Sequence, residues 1–230
     1  MKFFNIKDHC YSPEFISIMQ QFLDVDFISL TKEEKLDAFR DLDNFIHRVT
    51  GQPKLKLVIT ENKEATLKGK YNHNYDGSFE NEYAEFVYRN ESELHGVNML
   101  LIYLHEKFHQ FQYRSIVLQN PEVDEEQLQI WTWCADYIDS TKESSINYLC
   151  NPIEADAFKH QYYQILEIFK FFVDKKKMHR SVLKALKKER EDLWITLDIN
   201  ADYAHETYQM IERARRNYNP ERIFGKKIRT

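Results

Sequence analysis

Hydrophobic side chains recur three and four residues apart at Leu36, Phe39, Leu42, Phe45, Ile46 and Val49. That spacing predicts a helix with one buried face. Thr31, with Glu34 three residues on, supplies a capping box to open it, and Gly51 closes it. A shorter helix is predicted after Pro13, in PEFISIMQQFLDV. The period then switches from 3.6 to 2. KLKLVITE alternates and is β-branched, ATLKGKYN continues extended, and NHNYDG carries turn chemistry. SFENEYAEFVYRN alternates again through Phe79, Tyr83 and Val87. Two or three antiparallel strands are predicted between residues 54 and 89.

From residue 90 the pattern is helical. Asn90 with Glu93 is expected to cap a helix running through HGVNMLLIYLHEKFHQFQYRSIVLQ to Asn120-Pro121. PEVDEEQLQIWTWCADYI follows; its Trp131 and Trp133 suit the core, with an interface as the other reading. NPIEADAFKHQYYQILEIFKFF comes next, with Asn151 as N-cap and Pro152 at the first helical position. Two more helices are predicted around 178–194 and 200–216. Five Gly and five Pro against 16 Phe and 14 Tyr agree with long helices and few tight turns. No repeat or low-complexity linker divides the chain. The expectation is one mostly helical α+β domain over residues 1–230, with a small antiparallel sheet packed on the helix that contains LHEKFHQFQ. Helices would occupy 1–53, the sheet and site core 54–169, and a helical C-terminal lobe 170–230.

A chain of 230 residues buries roughly 70% of its unfolded surface and needs no metal merely to fold. The three cysteines, Cys10, Cys134 and Cys150, are far apart and unpaired in pattern, as in a reducing compartment. MKFFNIKDHCYSPEF has no apolar stretch of signal-peptide length, and the longest apolar run, VNMLLIYL, ends at His105. A soluble, cytoplasmic protein without membrane contact is expected. The net charge of -5 is uneven. From Lys170 onward there are 16 Lys and Arg against 9 Asp and Glu, leaving 16 against 28 in the rest. The basic runs interleave with apolar positions and read first as solvated helix faces; a weak nucleic-acid contact through the basic lobe is the sharper alternative.

The chemistry concentrates in YLHEKFHQFQY, residues 103–113. Residues four apart share one face of a helix, about 6 Å apart along its axis. Imidazoles of His105 and His109 at that spacing suit one tetrahedral metal ion. Glu106, about 100° further round, is poorly placed as a third ligand but well placed to hydrogen-bond the water such an ion activates. Leu100, Leu104, Phe108 and Phe111 form a separate apolar stripe that anchors the helix, while Leu101, Ile102 and Gln112 share the histidine face. A pair of buried structural histidines is the bland alternative.

A catalytic zinc takes three protein ligands and keeps one position open. Glu154 in NPIEADAF is the candidate third ligand. With Asn151 as N-cap it also stands at the third helical position, where a glutamate closes a capping box, so ligand and cap are both open. His160 and Asp156 are competing ligands, and Asp156 could instead orient an imidazole from behind. Lys107, about 200° from His105, is expected to carry its ammonium out to solvent.

This order of elements resembles the zincin metallopeptidases of the gluzincin kind, and more narrowly small bacterial and phage proteins with HExxHxxQ followed by NPxExxA. The matching positions are His105, Glu106, His109 and Gln112, then Asn151, Pro152, Glu154 and Ala157. The resemblance covers residues 54–165. It implies that His105, His109 and Glu154 bind zinc and that Glu106 is the base; Lys107 departs from its usual uncharged residue.

The expected activity is that of a zinc-dependent hydrolase acting on peptide or protein substrates, with Glu106 as general base. Candidate donors to the oxyanion are Tyr162, Tyr163, Tyr203, His205 and Tyr208. Alternatives are a zincin-like binding module without turnover, and a nucleic-acid-associated protease.

Overall fold

Thr31 Oγ1 accepts from the Glu34 backbone N–H at 3.3 Å, and Glu34 Oε2 accepts from the Thr31 N–H at 2.8 Å. This closed capping box opens helix α2 (Lys32–Thr50), which ends on Gly51 at φ 70°, a left-handed conformation natural to glycine. The predicted stripe buries Phe39, Leu42, Phe45 and Ile46; Val49, at its end, is 38% exposed. Helix α1 (Pro13–Leu23) is capped by Ser12 and packs on α2. The structure, a computed structural model, describes residues 3–64, 69–72, 79–135, 150–174, 184, 187, 188 and 201–220. The described residues form a mostly helical α+β fold with one small sheet.

Three strands are present among them: β1 (Lys56–Glu61), β2 (Gly69–Asn72) and β3 (Tyr83–Tyr88), in the order β1-β3-β2. β2 and β3 are antiparallel, as expected, but β1 and β3 run parallel, so the sheet is mixed. Alternation fixes which side chains share a face and carries no information on a neighbour's direction. The phase of β3 also differs from the reading through Tyr83 and Val87: Ala84, Phe86 and Tyr88 are its buried side chains. The small Ala84 weakens the hydrophobic contrast there. Phe79, which precedes the strand, instead sits edge-on to Tyr113.

Helix α3 (Gly96–Leu118) packs against α1, β2, β3, α4 (Glu125–Ala135) and α5 (Pro152–Asp174). It starts later than expected. Glu91–Glu93 form a separate 3-10 turn, and His95 is the N-cap, its Nδ1 accepting from the Asn98 N–H at 3.3 Å. Neighbours on several sides explain why side chains are buried nearly all round from Tyr103 to Tyr113. Leu100 and Leu104 belong to a core shared with α1, α2 and α5, whereas Phe108 and Phe111 belong to a second cluster with Trp131. Trp131 is buried and Trp133 half-buried. Helix α6 (Ala201–Asn217) packs on α4. Most of the helix predicted over 178–194 lies outside the described residues. No helix among the described residues is long and apolar enough to cross a membrane.

Candidate metal centre

His105 and His109 occupy successive turns of α3, where one turn brings both rings to the same face. Their Nε2 atoms are 3.0 Å apart, with the rings nearly perpendicular at 86°. Glu154 arrives from the first turn of α5. Asn151 Oδ1 accepts from the Ile153 N–H at 3.0 Å and its carbonyl from the Ala155 N–H at 2.9 Å, so the predicted cap is formed. The Glu154 carboxylate crosses to the facing helix: Oε2 lies 3.2 Å from His105 Nε2 and 3.5 Å from His109 Nε2. Three donor atoms from two helices thus make a compact triangle, a group that could hold a metal ion.

Glu154 and His109 stabilise each other's charged forms. Burial alone would push the Glu154 carboxyl up, but the His109 charge and hydrogen bonds to both imidazoles hold it well below the ordinary carboxylate range. Burial alone would lower His109; Glu154, then Glu106 and the Gln112 contact, reverse this and push it up to about 9. A buried anion is thereby kept ionised beside two nitrogen donors.

Glu106 sits under the edge of the sheet. A Cβ on Gly69 of β2 would lie 2.5 Å from Glu106 Oε1 and 2.5 Å from Ile102 Cγ2, so the strand approaches this closely because residue 69 has no side chain. The Tyr71 backbone N–H donates to the Glu106 carboxylate. Burial raises the Glu106 pKa, opposed in part by His105 and His109. Further along, β2 is tied to α3 through Glu82, which accepts from the Tyr71 hydroxyl, from Gln110 Nε2 at 3.0 Å and from Arg114 Nη2 at 2.6 Å.

Gln112 links both halves of the triangle. Its amide lies 2.9 Å from His109 Nδ1 and 3.1 Å from the carbonyl of Ile153, the residue before Glu154. In the sequence it appeared as a motif position and a residue of the histidine face, with no role assigned; its place three residues after His109, one turn away, was the available signal.

Lys107 corrects the expectation of a solvated ammonium. It is 2% exposed, with Nζ 2.6 Å from Asp43 Oδ1 and 2.7 Å from the Pro53 carbonyl. The face of α3 opposite His105 is covered by α2 and the turn after it, where Asp43 also accepts from the Tyr103 hydroxyl and the Leu55 N–H.

The remaining candidates are placed elsewhere. Asp156, about 200° round the helix from Glu154, accepts from Trp131 Nε1 and Gln127 Nε2, each at 2.9 Å, so it fastens α4 to α5. His160 is stacked on Phe108 and set edge-on to Phe3, outside the triangle. Tyr162 is buried. The Tyr163 ring lies under the Lys7 ammonium and Tyr208 is 62% exposed. The side chains of Tyr203 and His205 lie outside the described residues. Comparison with protein-family models, curated proteins and solved structures returns no match.

Proposed function

We propose that the protein is a zinc-dependent hydrolase of the peptidase kind, with His105, His109 and Glu154 as ligands and Glu106 as general base. The observation that carries this reading is the size of the triangle. A tetrahedral zinc with bonds of roughly 2.0–2.1 Å sets its ligand atoms about 3.3–3.4 Å apart, against 3.0, 3.2 and 3.5 Å here. Two imidazole nitrogens with one carboxylate suit zinc once His109 gives up the proton that Glu154 holds on it, and three protein donors leave a fourth position for solvent.

When bound, zinc lowers the pKa of a coordinated water towards about 7 and polarises a carbonyl. Glu106 would take a proton from the attacking water and return it to the leaving amine. Two features of its surroundings support that role. Burial raises the proton affinity of the carboxylate, and the hydrogen bond from the Tyr71 N–H fixes its direction. A peptide or protein substrate and a cytoplasmic location belong to the same proposal, the latter supported by three buried free thiols.

Glu106→Gln tests the role of the base. Zinc content should persist at the wild-type level while hydrolysis of a peptide library disappears. Hydrolysis surviving in that variant would remove Glu106 from the reaction.

A further inference from the structure

We propose that Gln112 is the positioning residue of this centre: one side-chain amide selects the tautomer of His109 and fixes it relative to the helix that carries Glu154. The inference rests on the metal-binding reading of His105, His109 and Glu154.

The assignment follows from a carbonyl. The Ile153 oxygen can only accept, so the Gln112 atom 3.1 Å from it is the NH₂ group. The other end of the amide, 2.9 Å from His109 Nδ1, is then the oxygen, which also can only accept. Nδ1 must therefore carry a proton. In a neutral imidazole that leaves the lone pair on Nε2, the atom 3.0 Å from His105 Nε2 and 3.5 Å from Glu154 Oε2. A main-chain oxygen on the facing helix, 41 residues from Gln112, thus decides which ring nitrogen of His109 faces the metal position.

The same bridge sets distance as well as tautomer. Ile153 precedes Glu154 in the chain and forms part of the first turn of α5, so a bond to its carbonyl holds that turn against the His109 ring. Gln112 is 1% exposed with both ends of its amide engaged, so water offers it no competing arrangement. Partners of this kind orient an imidazole and raise its basicity, and losing one costs about 10–100-fold in metal affinity.

The test measures zinc affinity by competition with a chromophoric chelator, together with thermal unfolding with and without zinc. Wild type, Gln112→Met, Gln112→Glu and His105→Ala are compared. Methionine keeps the length of glutamine and makes neither bond; glutamate keeps an acceptor for the Nδ1 proton. The expected results are about 10–100-fold weaker zinc binding for Gln112→Met, with a smaller zinc-induced rise in Tm, and a smaller loss for Gln112→Glu, which keeps the acceptor for Nδ1 and gives up the bond to the Ile153 carbonyl. A purely structural role would lower the metal-free Tm while leaving the zinc dissociation constant unchanged, and that result overturns the inference. So does equal loss of affinity in the Met and Glu variants. Independently of any variant, nitrogen NMR of the zinc-loaded wild type should show His109 protonated at Nδ1 and coordinated through Nε2; coordination through Nδ1 overturns it. If His105→Ala abolishes uptake and Gln112→Met does not alter it, only the role of Gln112 falls. A wild type that takes up no zinc removes the metal reading as well.

Discussion

Replacing Asp43 by alanine would remove the acceptor on which three buried donors converge. Lys107 Nζ at 2.6 Å and the Tyr103 hydroxyl at 2.7 Å share Oδ1, and the Leu55 N–H meets Oδ2 at 2.7 Å. Lys107 and Asp43 are 2% and 5% exposed, so neither has solvent to fall back on. Breaking one side of a buried ion pair costs about 3–5 kcal/mol, and each orphaned neutral donor adds about 1–3 kcal/mol when it finds no substitute. Two features restrain the total. Lys107 keeps the Pro53 carbonyl at 2.7 Å, and burial already lowers its pKa against the opposing pull of Asp43, so it can shed its proton. We expect Asp43→Ala to lose about 4 kcal/mol. The assay is urea unfolding followed by tryptophan fluorescence in excess chelator, so that bound zinc does not mask the loss. The double variant Asp43→Leu with Lys107→Met should recover only the part due to the unpaired ammonium, because the Tyr103 hydroxyl and the Leu55 N–H still lack their acceptor. A loss below about 1 kcal/mol for Asp43→Ala, the range of an exposed pair, would refute the reasoning and put Lys107 in water.

Gly69→Ala should retain zinc at some cost in stability, because its Cβ meets the Glu106 carboxylate and the Cγ2 methyl of Ile102, which is held one bond from the helix Cβ. Peptide hydrolysis should fall at least tenfold as Glu106 is displaced, on the order of what misplacement at a reacting centre costs; full activity would show that β2 does not position it. The His160 imidazole is pushed down to about 3, by burial first and His105 second, against 6.5 when unfolded. Between those values the unfolded chain binds the extra proton, so stability falls as pH drops from about 6.5 towards 3. In chelator, wild type should lose about 1.4 kcal/mol more than His160→Phe between pH 8 and pH 5.5. Parallel losses in the two proteins would contradict a buried neutral His160.

Local signals in the sequence carried much of the fold and of the triangle. The Thr31–Glu34 box, the Gly51 stop and the Asn151-Pro152 start depend on neighbouring residues alone, and each is formed. The pairing of His105 with His109 is likewise a property of one helix. Strand direction is not local: nothing in KLKLVITE or SFENEYAEFVYRN says that β1 runs parallel to β3. Nor is the environment of a helix face. Lys107 looked solvent-bound because the angle from His105 was known and the neighbour on that side, Asp43, was not. For Asp156 the helical angle pointed away from the triangle, but only α4 supplied Trp131 and Gln127 as its partners. Glu154 shows the limit most directly. Its position at the start of a helix suits both a cap and a ligand, and packing of α5 on α3 brought it to the imidazoles.

The most direct test is metal analysis of wild type, His105→Ala and Glu154→Ala, each loaded with zinc and then freed of loosely bound metal. About one zinc per chain is expected in the wild type, with loss of tightly bound zinc in both variants. A wild type that retains no zinc, or a Glu154→Ala variant that holds it as tightly as the wild type, would contradict the three-ligand centre.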